Sequence, residues 1–159
     1  MSAVLRHASV LLVAGLLLTG VLQAQRGTTR GRSFEPVRLG PHIGYNFDAD
    51  ALTLGAQVTL PLSRRVELYP TFDYYAISPG SAWALNADVK YRPPTRAGAL
   101  YVGGGFGYLR TGTTGDVNVN LVGGMESLRR AFVPYAEGRI TLGNGSAFQV
   151  VGGVSFKLR

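Results

Sequence analysis

Cysteine is absent from the 159-residue chain. Its absence removes disulfides, thiol nucleophiles, Cys-containing zinc sites and the acylated cysteine of a lipoprotein anchor. Histidine is nearly absent too. His7 belongs to the first segment, so His42 stands alone in the rest, a poor start for a metal site or a general base. Charged residues make up only 16%. The excess of Lys and Arg over Asp and Glu (16 against 9) forms no basic run interleaved with aromatics, and the arginines gather at turns. No nucleic-acid partner is expected from that pattern. A long apolar run is missing everywhere except at the start.

That start, MSAVLRHASVLLVAGLLLTGVLQAQ, has a short basic opening at Arg6 and His7, an apolar stretch from Ala8 to Leu22, and the small residue Ala24. The pattern predicts a cleaved secretory signal over residues 1–24, since the apolar stretch is shorter than the ~20 residues of a bilayer span. Residues 25–36 form a polar lead-in rich in Arg, Gly and Thr. From 37 to 159 the chain is long enough for one small barrel or sandwich.

What fills that stretch is alternation. In VRLGPHIGYNF, Val37, Leu39, Ile43, Tyr45 and Phe47 share one parity, Arg38, His42 and Asn46 the other. The same period of two runs through ALTLGAQVTLPL, VELYPTFDYY, WALNADVKYR, ALYVGGGFGYL, DVNVNLVGGME, FVPYAEGRITL and FQVVGGVSFKLR. Eight such segments predict eight strands. DAD, LSRR, ISPGS, RPPTRAG, RTGTTGD, SLRR and GNGS separate them, each too short for a crossover helix. Neighbouring strands are therefore antiparallel. Asn144-Gly145 is the strongest hairpin signal, because both residues tolerate the positive φ of a tight turn. Closing the meander into a barrel removes both free edges. The expected fold is all-β, an eight-stranded antiparallel up-and-down transmembrane barrel.

Size decides which parity faces inward. An eight-stranded barrel is only just wide enough to be filled by side chains. The apolar parity carries Tyr45, Phe47, Phe72, Tyr74, Trp83, Tyr91, Phe106, Tyr108, Phe132, Phe148 and Phe156, too much bulk for that interior. The polar parity is rich in glycine, asparagine and paired charges, with Tyr69, Tyr75, Tyr101 and Tyr135 to fill gaps. The apolar face is therefore expected to point outward, into lipid. Segments of about eleven residues, tilted ~40°, rise by about 28 Å, near the ~25 Å apolar band of such barrels. Tyr45, Phe47, Tyr74, Trp83 and Tyr108 fall near one set of strand ends and Tyr91, Phe132 and Phe156 near the other, as two interfacial aromatic bands would.

Inside, Arg38, His42, Glu67, Asp73, Asp88, Lys90, Glu126, Glu137, Arg139 and Lys157 are expected to form a polar lumenal network that plugs the barrel. GGGFG at Gly103–Gly107 sits mid-strand with no helix after it, so it is read as thin packing and not as a phosphate loop.

With its eight alternating segments and apolar final strand, the chain resembles the small eight-stranded outer-membrane β-barrels of Gram-negative bacteria, of the OmpA transmembrane-domain and OmpX type. The resemblance implies an outer-membrane location and contact with outer-membrane lipids. It also implies that Val154, Phe156 and Leu158 serve as the recognition segment for the barrel assembly machinery, and that both termini face the periplasm, with Arg64, Arg65, Arg92, Arg96, Arg129 and Arg130 in periplasmic turns. The family's terminal aromatic is replaced by Leu158-Arg159. The expected function is structural, supporting membrane integrity, or a minor pore, without catalysis, cofactor or metal. A soluble periplasmic calycin-like barrel binding an apolar ligand is the alternative, and a lipid-modifying outer-membrane enzyme the third reading.

Overall fold

The computed structural model describes residues 35–77, 80–94, 100–127 and 132–158. The expected signal peptide, nearly all of the lead-in, and Arg96, Arg129 and Arg130 lie outside the described residues. Eight strands follow in order: β1 (Arg38–Asn46), β2 (Ala51–Pro61), β3 (Val66–Ala76), β4 (Ala82–Tyr91), β5 (Leu100–Thr111), β6 (Thr114–Glu126), β7 (Phe132–Leu142) and β8 (Ser146–Lys157). Each pairs antiparallel with the next, and β8 returns to β1 to close the barrel. Every predicted segment is a strand.

Burial follows the alternation. In β1, Arg38, Gly40, His42, Gly44 and Asn46 are buried while Leu39, Pro41 and Ile43 are exposed. In β4, Ala82, Ala84, Asn86, Asp88 and Lys90 are buried while Leu85, Ala87, Val89 and Tyr91 are exposed. Among the described residues the buried set holds 20 polar or charged side chains against nine hydrophobic ones, and three of those nine are tyrosines. Outside, 26 large hydrophobic side chains stand exposed, from Phe106 and Val117 on β5 and β6 to Phe148 and Phe156 on β8. This is the inverse of a water-soluble core.

Two ladders contain gaps. The β1–β8 register skips Gly40 and Pro41, and the β2–β3 register skips Tyr69 and Pro70. Proline has no N–H to donate, so a skipped pair beside it loses little. Both prolines keep their partners on the other flank, Pro41 with Ala56 and Pro70 with Ala87.

The hairpins on the β1–β2 side are short. Residues 112–113 form a two-residue loop between the paired Thr111 and Thr114, with Gly112 at φ 57°. A first loop residue with positive φ suits the strand twist. Asp50 closes the β1–β2 loop at φ 48°, held by the Tyr45 hydroxyl, which donates to its Oδ1. The Asn144-Gly145 expectation is corrected: neither residue has positive φ. The loop spans residues 143–145, closed by Gly143 N–H on the Gly145 carbonyl at 2.9 Å, while Asn144 reaches out to Asp116 Oδ1 at 2.7 Å. The wider three-residue loop frees the turn from the dihedrals that a two-residue one imposes.

Candidate functional site in the barrel lumen

Nine of the ten predicted lumenal residues are buried inside the barrel: Arg38, His42, Glu67, Asp73, Asp88, Lys90, Glu126, Glu137 and Arg139. They arrange in levels along the axis. At the mouth where β1 begins, Arg38 donates through Nη2 to both oxygens of Glu67 at 2.9 and 3.0 Å, and through Nη1 to Glu126 at 2.8 Å. Arg92, just beyond β4, donates to the same Glu67 oxygens at 2.8 and 2.7 Å and pairs with Glu126. Two guanidinium groups thus share two carboxylates, a planar, multiply hydrogen-bonded arrangement that arginine is shaped for. Burial alone would lower the basicity of Arg92, but Glu126 and Glu67 outweigh it and hold the guanidinium above its ordinary pKa.

Lys157 does not join this network. It is half-exposed at the rim, in register with Arg38, and forms no ion pair among the described residues. The nearby carboxylates are already taken by Arg38 and Arg92, and a third cation beside them would be repelled. Arg92, read from sequence as a turn residue, takes its place. The signal was present, since Arg92 continues the inward parity of Asn86, Asp88 and Lys90.

One level up, Lys90 Nζ lies 3.4 Å from Glu137 Oε2 and 3.1 Å from the centre of the Tyr69 ring. Tyr101 and Tyr135 complete its surroundings, and the Tyr101 hydroxyl donates to Glu137 Oε2 at 2.8 Å. Above that, Arg139 is the hub. Nη1 reaches Asp73 Oδ2 at 3.2 Å and Thr71 Oγ1 at 3.1 Å, and Nη2 reaches Glu137 at 3.2 Å and Asp88 at 3.5 Å. Asn86 donates to Asp73 at 2.9 Å, and Asn120 donates to Asn86 at 2.9 Å and Asp88 at 3.1 Å. His42 Nε2 sits 2.8 Å from Asp73 Oδ1. Toward the far mouth, neutral groups take over: Gln149 donates to Thr53 at 2.8 Å and Thr141 to Asn120 at 3.3 Å.

Chemically this is a buried, internally paired ionic network. Five carboxylates are met by three arginines, Lys90 and His42, with amides and hydroxyls bridging them. Buried charges need such partners. His42 has no hydrogen-bond partner other than Asp73 among the described residues, and its side chain is enclosed by the barrel wall. Gly103–Gly107 run through the middle of β5, where the sequence placed them.

Outside, the predicted interfacial aromatics lie on the apolar face. Tyr45 packs edge-on against Phe47 (5.1 Å between centroids), and Trp83 meets Tyr108 at 5.8 Å. Two rings outside the predicted set, Phe148 and Phe72, extend these groups by stacking on Phe47 and Trp83. Tyr74 is exposed beside Trp83 in register. Toward the opposite rim, Tyr91 ends β4, and Phe132 pairs in register with Phe156. Phe156 and Leu158 point outward, and Val154 shares their parity in half-buried form.

No protein-family model matches the chain, and no curated protein matches it in sequence. Solved structures do match. The N-terminal β-barrel domain of Pseudomonas aeruginosa OprF superposes with a TM-score of 0.67 at 18% identity, covering 80% of this chain and 100% of that one. Neisserial surface protein A (NspA) gives 0.63 at 11% identity, covering 81% and 100%. A de novo designed transmembrane β-barrel gives 0.57 at 14%, with the same coverage. At such identities the likeness is one of fold, and the fold of this chain is that of the small eight-stranded outer-membrane β-barrels.

Proposed function

We propose that the chain is an integral protein of the Gram-negative outer membrane, exported by a signal peptide over residues 1–24, whose barrel (residues 37–159) supports membrane integrity behind a plugged lumen. One observation carries the reading: the exposed face is apolar around the barrel, and the buried interior is polar. In water that surface would be a single apolar patch far beyond what a monomer carries, whereas lipid is its natural solvent. A soluble calycin-like barrel needs the apolar parity to line a pocket, and here that parity points away from the lumen. The partners are then outer-membrane lipids and the barrel assembly machinery, which would read Val154, Phe156 and Leu158 on β8. The short hairpins between β1 and β2, β5 and β6, and β7 and β8 would face outward, leaving little loop surface for a receptor or lid. A non-catalytic role is supported by His42, the single histidine of the barrel, which is spent on Asp73 away from lipid.

Fractionation tests this reading, followed by gel migration of unboiled and boiled samples in detergent. Recovery with outer membranes and a heat-dependent mobility shift are expected. Recovery as a soluble periplasmic monomer would overturn it. A minor pore is the second reading, favoured by the continuous polarity of the lumen from Arg38 to Gln149. Single-channel recording on Glu137 and Arg139 variants tests it, with larger or more frequent openings expected when the hub is broken.

A further inference from the structure

Lys90 is the only lysine in the buried set, and it is surrounded as a ligand would be. Its Nζ lies 3.1 Å from the Tyr69 ring centre, 4.0 Å from that of Tyr101 and 5.6 Å from that of Tyr135, with Glu137 Oε2 at 3.4 Å. All of these residues are buried. Aromatic faces carry negative charge density, and several rings around one ammonium, closed by a carboxylate, form the kind of cage that recognises alkylammonium groups.

The walls of this cage are set by the strands and not by Lys90. Tyr101 on β5 is in register with Gly124 on β6, and Tyr135 on β7 with Gly153 on β8. A Cβ on Gly124 would fall 2.6 Å from the Tyr101 hydroxyl, and one on Gly153 would fall 2.6 Å from Tyr135 Cε1. The Tyr101 and Tyr135 rings therefore each lie over a glycine that leaves room for them. Tyr101 is further fixed by its 2.8 Å hydrogen bond to Glu137, and Glu137 by Arg139 at 3.2 Å. Restraints that do not involve Lys90 thus hold Tyr101, Tyr135 and Glu137 when the lysine is removed.

We propose that Tyr69, Tyr101, Tyr135 and Glu137 form a binding site for a primary alkylammonium group, which Lys90 fills in the resting barrel as a tethered ligand. Truncating Lys90 to alanine deletes three methylenes and the ammonium, the outline of propylammonium. The emptied cage binds that ion from solution. The cage lies between two ionic levels, so the ion is supplied while the barrel folds around it, and the test runs on barrel refolded in detergent with the ion present.

The experiment follows the unfolding midpoint of wild type, Lys90→Ala and Lys90→Met by heat-dependent gel mobility, in chloride with added propylammonium, propionamide or propionate. Lys90→Ala is expected to unfold earlier than wild type and to regain its midpoint as propylammonium rises, saturating as a single site does. Propionamide, with the same stem and no charge, should not restore it, nor should propionate. Wild type and Lys90→Met, whose cages are occupied, should not respond. If Lys90→Ala fails to fold alone, propylammonium added during refolding should restore the yield of the heat-modifiable form. Equal rescue by propionamide would show that the site wants volume and not charge, and would overturn the assignment. A Lys90→Met barrel as stable as wild type, or a wild type that responds as the alanine variant does, would overturn it equally.

Discussion

Arg139→Met is the perturbation that asks most of the lumen. The guanidinium serves three carboxylates at once, Asp73 and Glu137 at 3.2 Å and Asp88 at 3.5 Å, and it is 2% exposed. Methionine keeps much of the volume and removes every donor. Asp73 retains His42 and Asn86, and Glu137 retains Lys90 and Tyr101, but among the described residues Asp88 keeps only the Asn120 amide as donor. Removing one partner of a buried pair costs about 3–5 kcal/mol, because the remaining charge is left uncompensated. Three affected carboxylates put this site at the upper part of that range. With a urea slope of roughly 2 kcal/mol per molar, the midpoint should fall by about 2 M. The assay is urea titration of the refolded barrel in detergent, read by heat-dependent mobility and tryptophan emission from Trp83. The double variant Arg139→Met with Asp88→Asn removes the least compensated of the orphaned charges. It should be less destabilised than the sum of the single changes, with a coupling of about 0.5–3 kcal/mol. A loss below about 1 kcal/mol for Arg139→Met alone would mean the charges are solvated where they stand, as exposed pairs are. The plugged-lumen reasoning would then fail.

On the outer face, Leu121→Arg in the middle of β6 should cost about 2–4 kcal/mol in lipid vesicles and Leu142→Arg at the end of β7 only about 0–1, measured as unfolding free energies; equal effects would refute the lipid-facing assignment. Gly153→Ala places a methyl 2.6 Å from Tyr135 Cε1 and 2.7 Å from the Pro41 carbonyl oxygen, and should cost about 1–3 kcal/mol by denaturant titration. Gly123→Ala, whose new methyl meets nothing within 4 Å, should stay within about 0.5 kcal/mol of wild type. At the mouth near the termini, Arg92→Gln should destabilise by about 1–3 kcal/mol through the loss of charged hydrogen bonds to Glu67 and Glu126, while Lys157→Gln should change stability by less than about 0.5 kcal/mol.

Strand number, pairing order and facing were legible because one signal, the period of two, repeats eight times and small barrels admit one arrangement of bulk. Register was not legible. Arg38 meets Glu67 and Glu126, and Arg139 meets Asp73 and Asp88, through the stagger between strands, which alternation leaves undetermined. Arg92 does lie in the turn that Pro93 and Pro94 mark, just past β4, but its long side chain folds back into the mouth to Glu67 and Glu126. Lys157 shows the converse, an inward parity whose position at the rim leaves it no free carboxylate. The hairpin at Asn144-Gly145 was legible but its backbone was not: the loop has three residues, 143–145, and Asn144 bonds Asp116 across the sheet, a contact invisible to a dipeptide rule. The tyrosines Tyr69, Tyr101 and Tyr135 were recognised as filler, but their convergence on one ammonium needed coordinates.

The ionic levels of the lumen also dictate how the chain can reach its folded state. Arg38 and Glu126 are 88 positions apart, Thr53 and Gln149 are 96 apart, and Arg139 binds Asp73 from 66 positions away. A half-formed sheet of the first four strands would carry Arg38, Glu67, Asp73, Asp88 and Lys90 with Glu126, Glu137 and Arg139 still to come. Such a sheet has nowhere in hydrocarbon to place its polar face, and its two open edges add to the difficulty. Insertion by one strand at a time is therefore closed to this sequence. The charges must stay wetted until β8 meets β1, so crossing the membrane and closing the ring become a single event.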